Sequence, residues 1–259
     1  MKIGICAPIG QLRQFDEMGF DYIEPAVVSL MDMDAGALGE ARRILDGSRI
    51  KAEACNVLFP GRIALVGPDA DPGAAESYLR DAVGRAAQIG AKCLVFGSGA
   101  SRRAPAGFDA AAARSQLRDA IALAGEIARE NGVLIAIEPL NAGETNQINS
   151  VSDGLRMARE IGMDSVGLLA DFYHMRVERE PMSSLLPCGG ALLHAHIARG
   201  EGRTYPLSGG EDIYGEFFAA LGAIAYSGRV SIEGSSPAIG EDAPKSLAFL
   251  RACAAEAGL

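Results

Sequence analysis

The chain has 259 residues, 49% of them hydrophobic, and carries 24 basic against 33 acidic residues for a net charge of −9. That balance argues against a groove that neutralises nucleic-acid phosphates and against docking on anionic lipid. No apolar run approaches the roughly 18 residues that a membrane helix needs. No linker rich in Pro, Ser or charge divides the chain, so one domain over residues 1–259 is expected.

The first ten residues, "MKIGICAPIG", are too short and too broken by Gly and Pro to read as a signal peptide. They read instead as a first strand at 2–6. One pattern then repeats: a helical segment closes on Gly and a β-rich run follows. It occurs in "EMGFDYIE", "AQIGAKCLVF", "RENGVLIAIE", "EIGMDSVGLLAD" and "AYSGRVSIE". Gly after a helix accepts the left-handed conformation that closes it. The apolar runs suit parallel strands buried on both faces.

Eight strands are expected, at 2–6, 21–24, 50–55, 92–96, 133–138, 166–171, 192–197 and 229–233. Helices fit between them, most clearly at 73–89 and 109–130. The second carries Leu117, Ile121, Ala124 and Ala128 as a helical stripe. A last helix near 243–257 closes the ring. Eight βα units in about 250 residues describe an α/β fold of the (β/α)8 TIM-barrel type. A doubly wound open sheet would want a Gly-rich phosphate turn after the first strand, and "CAPIGQL" lacks one. The five cysteines, Cys6, Cys55, Cys93, Cys188 and Cys253, are odd in number and show no CxxC spacing. They read as buried free thiols in a reducing cytoplasm.

In such a barrel the chemistry sits at the C-terminal ends of the strands. The fifth strand, in "VLIAIEPLN", ends in Glu138. The sixth, in "VGLLADFYH", ends in Asp171 with His174 three residues on. The seventh, "LLHAHIA", carries His194 and His196, and the eighth, "RVSIEG", ends in Glu233. Taken singly, an acid there is a helix cap or a solvated loop residue, and His194 is a satisfied barrel histidine. As a set on four successive strands they converge on one rim. Three carboxylates and an imidazole at one level are costly without a compensating charge. A divalent cation removes that cost. An oxygen-rich set with one imidazole suits Mn²⁺, Mg²⁺ or Co²⁺ better than a structural zinc, with positions left open for substrate oxygens.

These residues resemble the xylose isomerase-like TIM-barrel superfamily, in its sugar phosphate isomerase/epimerase branch. "IEPLN", "DFYH", "HAHIA" and "SIEG" match its pattern in order and strand position. "CNVLFPG" at 55–61, "VGPD" at 66–69, "GSGASRRAP" at 97–105 and "RTYP" at 203–206 extend the likeness over nearly the whole chain. The resemblance implies one divalent metal ion, Mn²⁺ foremost, with Mg²⁺ or Co²⁺ as alternatives, held by Glu138, Asp171, His196 and Glu233. It implies a small carbohydrate substrate (a sugar, keto-sugar or sugar acid) and a homodimer or homotetramer. Glu138 and Glu233 would form an acid/base pair, one removing a proton next to a carbonyl and the other returning one, through an enediolate. Glu144, His174 and Asn56 would contact substrate, with Arg199 and Arg203 as candidates for a substrate arginine. Arg102 and Arg103 would add to a rim suited to a carboxylate or phosphate. The chain has no Trp, whereas ketose 3-epimerases of this superfamily stack an aromatic over the sugar. Dehydration of a keto-inositol or keto acid on the same site is the alternative. A repair nuclease resembling endonuclease IV would need more than the three histidines present. A non-catalytic sugar-binding role would leave the ligand set without a use.

Overall fold

A computed structural model describes residues 1–259. The strands are β1 (Lys2–Cys6), β2 (Tyr22–Glu24), β3 (Lys51–Ala52), β4 (Ala54–Cys55), β5 (Cys93–Phe96), β6 (Leu134–Ile137), β7 (Val166–Asp171), β8 (Leu192–Ile197) and β9 (Arg229–Ile232). All pair in parallel in the order β3-β2-β1-β9-β8-β7-β6-β5-β4. The helices are α1 (Leu12–Glu17), α2 (Val27–Met31), α3 (Ala35–Asp46), α4 (Pro72–Gln88), α5 (Gly99–Arg102), α6 (Ala110–Glu130), α7 (Val151–Ile161), α8 (Phe172–Val177), α9 (Tyr214–Ala223) and α10 (Ile239–Glu256). This is the TIM barrel that the alternation of elements predicts.

The third expected strand is split. Lys51–Ala52 pair with β2, Ala54–Cys55 pair with β5, and Glu53 lies between. Glu53 joins the two pieces through the chain, and its carboxylate meets Lys2 at the start of β1 and Arg229 at the start of β9. α10 begins four residues before the expected 243, so Pro244 lies inside it.

Local chemistry explains where the helices start and stop. Asp71 caps α4 by accepting from the Gly73 and Ala74 amides, with Pro72 at the first helical position. Asp109 and Ser150 cap α6 and α7 in the same way. Gly19, Gly90, Gly132 and Gly162 take positive φ after their helices, as the repeated pattern requires. The fifth expected closing glycine, Gly228, does not. Ala225 (φ 51°) makes that turn, and Gly228 is needed for space, because a methyl there would overlap the Tyr226 ring.

Side chains alternate along each strand. Ile3, Ile5, Ile23, Leu94, Phe96, Ile135, Ile137, Leu168 and Ile232 pack outward against the helices. Tyr22, Ala54, Cys93, Val95, Ala136 and Leu169 fill the barrel. At β7–β8 the register slips between Leu168 and Leu169, which pair with Leu192 and His194, so Leu193 is an extra residue. That bulge lets Leu193 and His194 both approach the interior. All five cysteines are free, four of them buried. No helix is long and apolar enough to cross a membrane.

The barrel is tight where β1 meets β2. A methyl added at Gly4 would overlap the Tyr22 ring. Gly4→Ala is expected to cost about 1–3 kcal/mol of stability through overpacking, read as a lowered urea midpoint with unchanged slope.

Candidate metal centre

The inward positions at the C-terminal ends of the strands form the site. Glu138, Asp171, His196 and Glu233 each present one ligand atom, and these atoms all lie within 4.8 Å of one another. Asp171 and His196 are 2% and 0% exposed. Asp171 also starts α8, accepting from the Tyr173 amide. His196 Nδ1 is 3.1 Å from Glu138 Oε1 and 3.3 Å from Glu233 Oε2. The donor set is three carboxylates and one imidazole nitrogen, compact and buried except for the half-buried Glu233, and it fits one divalent cation.

The electrostatics show how much charge is held here. Burial pushes the Asp171 carboxyl up, and the neighbouring Glu233 and Glu138 carboxylates push it further. Burial alone would raise Glu233 as well, but His196 and Arg203 outweigh it and hold that carboxyl down. Burial would lower the His196 imidazole, yet the Glu24 and Glu233 carboxylates hold it well above its usual value. Arg203, with Arg102 beneath Glu138, sets fixed positive charge against these acids, and the acids in turn favour the protonated form of His196.

The other expected residues fall in different places. Asn56 donates to Glu233 Oε1 at 3.0 Å. Arg203 pairs with Glu233 and reaches Asp171 Oδ2 at 3.5 Å and Glu144 Oε1 at 3.3 Å. Its guanidinium also lies 4.6 Å from the centre of the Tyr173 ring, a cation–π distance. Glu144 stands at the rim, joined to Asn141 Nδ2 at 3.0 Å. His174 is buried, and its Nδ1 accepts from the Asn141 backbone N–H at 3.1 Å. A backbone N–H can only donate, so the proton of the neutral ring sits on Nε2. Nε2 has no hydrogen-bond partner and lies 3.5 Å from Asp171 Oδ2.

Three expected arginines do not line the site. Arg199 turns to Glu201 at 3.2 Å. Arg103 donates to the Gly143 carbonyl. Arg102, expected at the rim, is fully buried and donates to the Phe96 and Glu138 carbonyls at 3.3 and 2.6 Å. It ties the end of β5 to the end of β6 and so fixes the backbone that carries Glu138.

Glu24 was not singled out by its sequence, although it too ends a strand before a proline, in "YIEP". It is 1% exposed and accepts from His196 and His194. Gly97 is a second such residue. It ends β5 facing Glu138, and a methyl there would overlap Glu138 Oε2.

The cavity above the cluster has a volume of about 230 Å³ and is lined by Asn56, Val57, Ser98, Gly99, Glu138, Leu140, Glu144, Arg203 and Glu233. Val57, Ser98 and Arg203 have φ of 47°, 45° and 49°, a costly conformation for residues with a Cβ. A more apolar groove between α4 and α6 includes Leu65, Ala75 and Leu123, but its Asp71 is spent on the α4 cap, and no set of ligands converges there.

Gly97→Ala forces the Glu138 carboxylate aside. The expected result is a loss of Mn²⁺ affinity of about tenfold or more, measured by isothermal titration, with little change in melting temperature. Unchanged affinity would show that Glu138 does not hold the ion.

Comparison with known proteins gives three kinds of match. The model of the family described as "Xylose isomerase-like TIM barrel" matches residues 12–253. Among curated relatives, a 3-dehydro-D-guloside 4-epimerase of Escherichia coli K12 is 32% identical over 134 residues, 49% of each chain. A ketose 3-epimerase of Arthrobacter globiformis is 33% identical over 48% of this chain and 43% of its own. The matched part therefore spans about half the length of these relatives. An L-ribulose 3-epimerase of Mesorhizobium japonicum aligns over more, 91% of this chain and 78% of its own, at 28% identity. The solved D-psicose 3-epimerase of Clostridium cellulolyticum H10, with D-tagatose, superposes with a TM-score of 0.85 at 19% identity over 98% of this chain and 99% of that one, a likeness of fold. Since the family model covers nearly the whole length, this chain belongs to the xylose isomerase-like TIM-barrel family.

Proposed function

We propose that this protein is a divalent-metal-dependent epimerase or isomerase of a small, uncharged ketose or keto-sugar, with Mn²⁺ as the first choice of metal. The observation that carries this reading is the placement of Glu138 and Glu233. Two strands, β7 and β8, separate β6 from β9, so the two glutamates enter the site from different sides of the barrel and converge on His196 Nδ1. Both line the one cavity above the cluster. A pair of carboxylates on opposite sides of a small substrate suits removal of a proton from one face and its return on the other.

A divalent ion held by Glu138, Asp171, His196 and Glu233 would act as a Lewis acid toward a substrate carbonyl and so acidify the C–H on the adjacent hydroxyl-bearing carbon. Glu138 Oε1 lies 3.1 Å from His196 Nδ1, and its other oxygen, Oε2, is the one that would take the proton. Glu233, oriented by Asn56 and Arg203, delivers a proton to the other face. His174 Nε2–H, its ring held by Asn141, donates to the oxygen that becomes negative in the enediolate. Glu144 and Arg203 hold hydroxyls at the rim.

The charges support an uncharged substrate. The cavity wall offers Glu138, Glu144 and Glu233 against one guanidinium, Arg203, which is already shared among carboxylates. Arg102, Arg103 and Arg199 are engaged elsewhere. No free basic cluster awaits a phosphate or carboxylate. The epimerase names of the relatives point the same way.

The test combines mutation with isotope exchange. Glu138→Gln and Glu233→Gln are each expected to lower turnover of a ketose panel by several orders of magnitude while the circular dichroism spectrum is kept. In D₂O the wild-type enzyme should place deuterium at one carbon without losing water. Near-normal turnover in either variant would sink the two-glutamate scheme, and an ultraviolet-absorbing enone product would mark a dehydratase instead.

A further inference from the structure

The four-donor cluster uses only one nitrogen of His196. Nδ1 faces Glu138 and Glu233, whereas Nε2 faces away from the cavity and lies 2.9 Å from Glu24 Oε1. A neutral imidazole has one N–H, so a ring that offers its Nδ1 lone pair to a cation must keep its proton on Nε2. Glu24 is the acceptor placed to hold that proton. It cannot serve substrate, because the whole side chain is buried beneath the cluster.

Glu24 is itself aimed. Its Oε2 meets His194 Nε2 at 2.7 Å and the Ser231 hydroxyl, and Ser231 Oγ lies 2.7 Å from the Tyr22 hydroxyl. His194, Ser231 and Tyr22 are each 0% exposed. Burial would raise the Glu24 carboxyl, but His196 and His194 together hold it ionised, well below its usual value. A buried carboxylate costs several kcal/mol unless it is compensated. The fold spends a bulge, two histidines, a serine and a tyrosine on this one, and core packing alone would not require it.

We propose that Glu24 is a positioning residue for the metal centre. It fixes the rotamer and the Nε2–H tautomer of His196, raises the basicity of Nδ1, and is held in register by His194, Ser231 and Tyr22. A hydrogen-bonded carboxylate behind a ligating histidine strengthens that ligand. The inference rests on the reading of the four-donor cluster as a metal site.

The experiment measures Mn²⁺ affinity by isothermal titration for wild type, Glu24→Gln and Ser231→Ala. It also follows the His196 imidazole N–H by proton NMR in the Mg²⁺-loaded proteins. Wild type is expected to bind Mn²⁺ and to show a downfield, slowly exchanging N–H. Glu24→Gln is expected to lose about 10–100-fold in affinity and to show that resonance shifted upfield or exchanged away. Ser231→Ala, which keeps the carboxylate but loosens it, weakens binding in the same direction by less. A folded Glu24→Gln protein with affinity within about twofold of wild type would overturn the proposal, as would weakened binding with an unaltered N–H. If Glu24→Gln does not fold, wild-type affinity in Ser231→Ala overturns it. Failure of the wild-type protein to bind any divalent ion would instead remove the metal site itself.

Discussion

The structure depends on compensating negative charge where the barrel opens. Glu24, Glu138 and Asp171 are all nearly inaccessible to water, and Glu233 stands beside them. Like charges at this separation in a poorly solvated place repel strongly. The protein sets the Arg203 guanidinium against them and favours a proton on His196; a divalent cation at the centre would take the place of the proton on Nδ1. The rest of the site is arranged around that balance.

The barrel interior is divided accordingly. On the side of β1, β2, β8 and β9 it holds a polar column of Tyr22, Ser231, His194 and Glu24, linked by hydrogen bonds up to His196. On the side of β4 to β7 it holds Ala54, Val95, Ala136 and Leu169, which are apolar. Small residues make the large ones possible: Gly4 admits the Tyr22 ring, Gly167 admits Leu193, and Gly97 admits the Glu138 carboxylate. The four candidate donors thus stand at strand ends, the placement that preorganised metal donors would need.

The contacts that would choose a substrate are built differently. Val57, Ser98 and Arg203 come from three separate loops and hold left-handed backbones around one cavity. Such conformations persist only where the surroundings enforce them. Val57 is 41% exposed at the mouth, an apolar side chain among polar neighbours, where the absence of Trp leaves no indole to stack on a sugar. Chemistry on strands and selection on loops is the division of labour that lets one barrel serve many substrates.

Much of this was legible in the residues alone. Gly-closed helices followed by apolar runs specify βα units, and a carboxylate ending a buried run is costly enough to demand an explanation, so Glu138, Asp171, His196 and Glu233 stood out. What the sequence could not show were properties of closure in three dimensions. Glu24 ends a short strand far from His196 in the chain, and only the closed ring brings the two side chains to 2.9 Å. Arg102 and Arg103 are adjacent in sequence, yet one helical turn buries the first under Glu138 and leaves the second in solvent. Arg199 and Arg203 both sat in the loop after β8, and only the left-handed backbone at Arg203 turned one toward the acids. Local pattern determines elements and the direction each side chain leaves its strand, because those depend on neighbours in the chain. Which buried charges meet is decided by the stagger and bulge of a closed barrel, which no single segment contains.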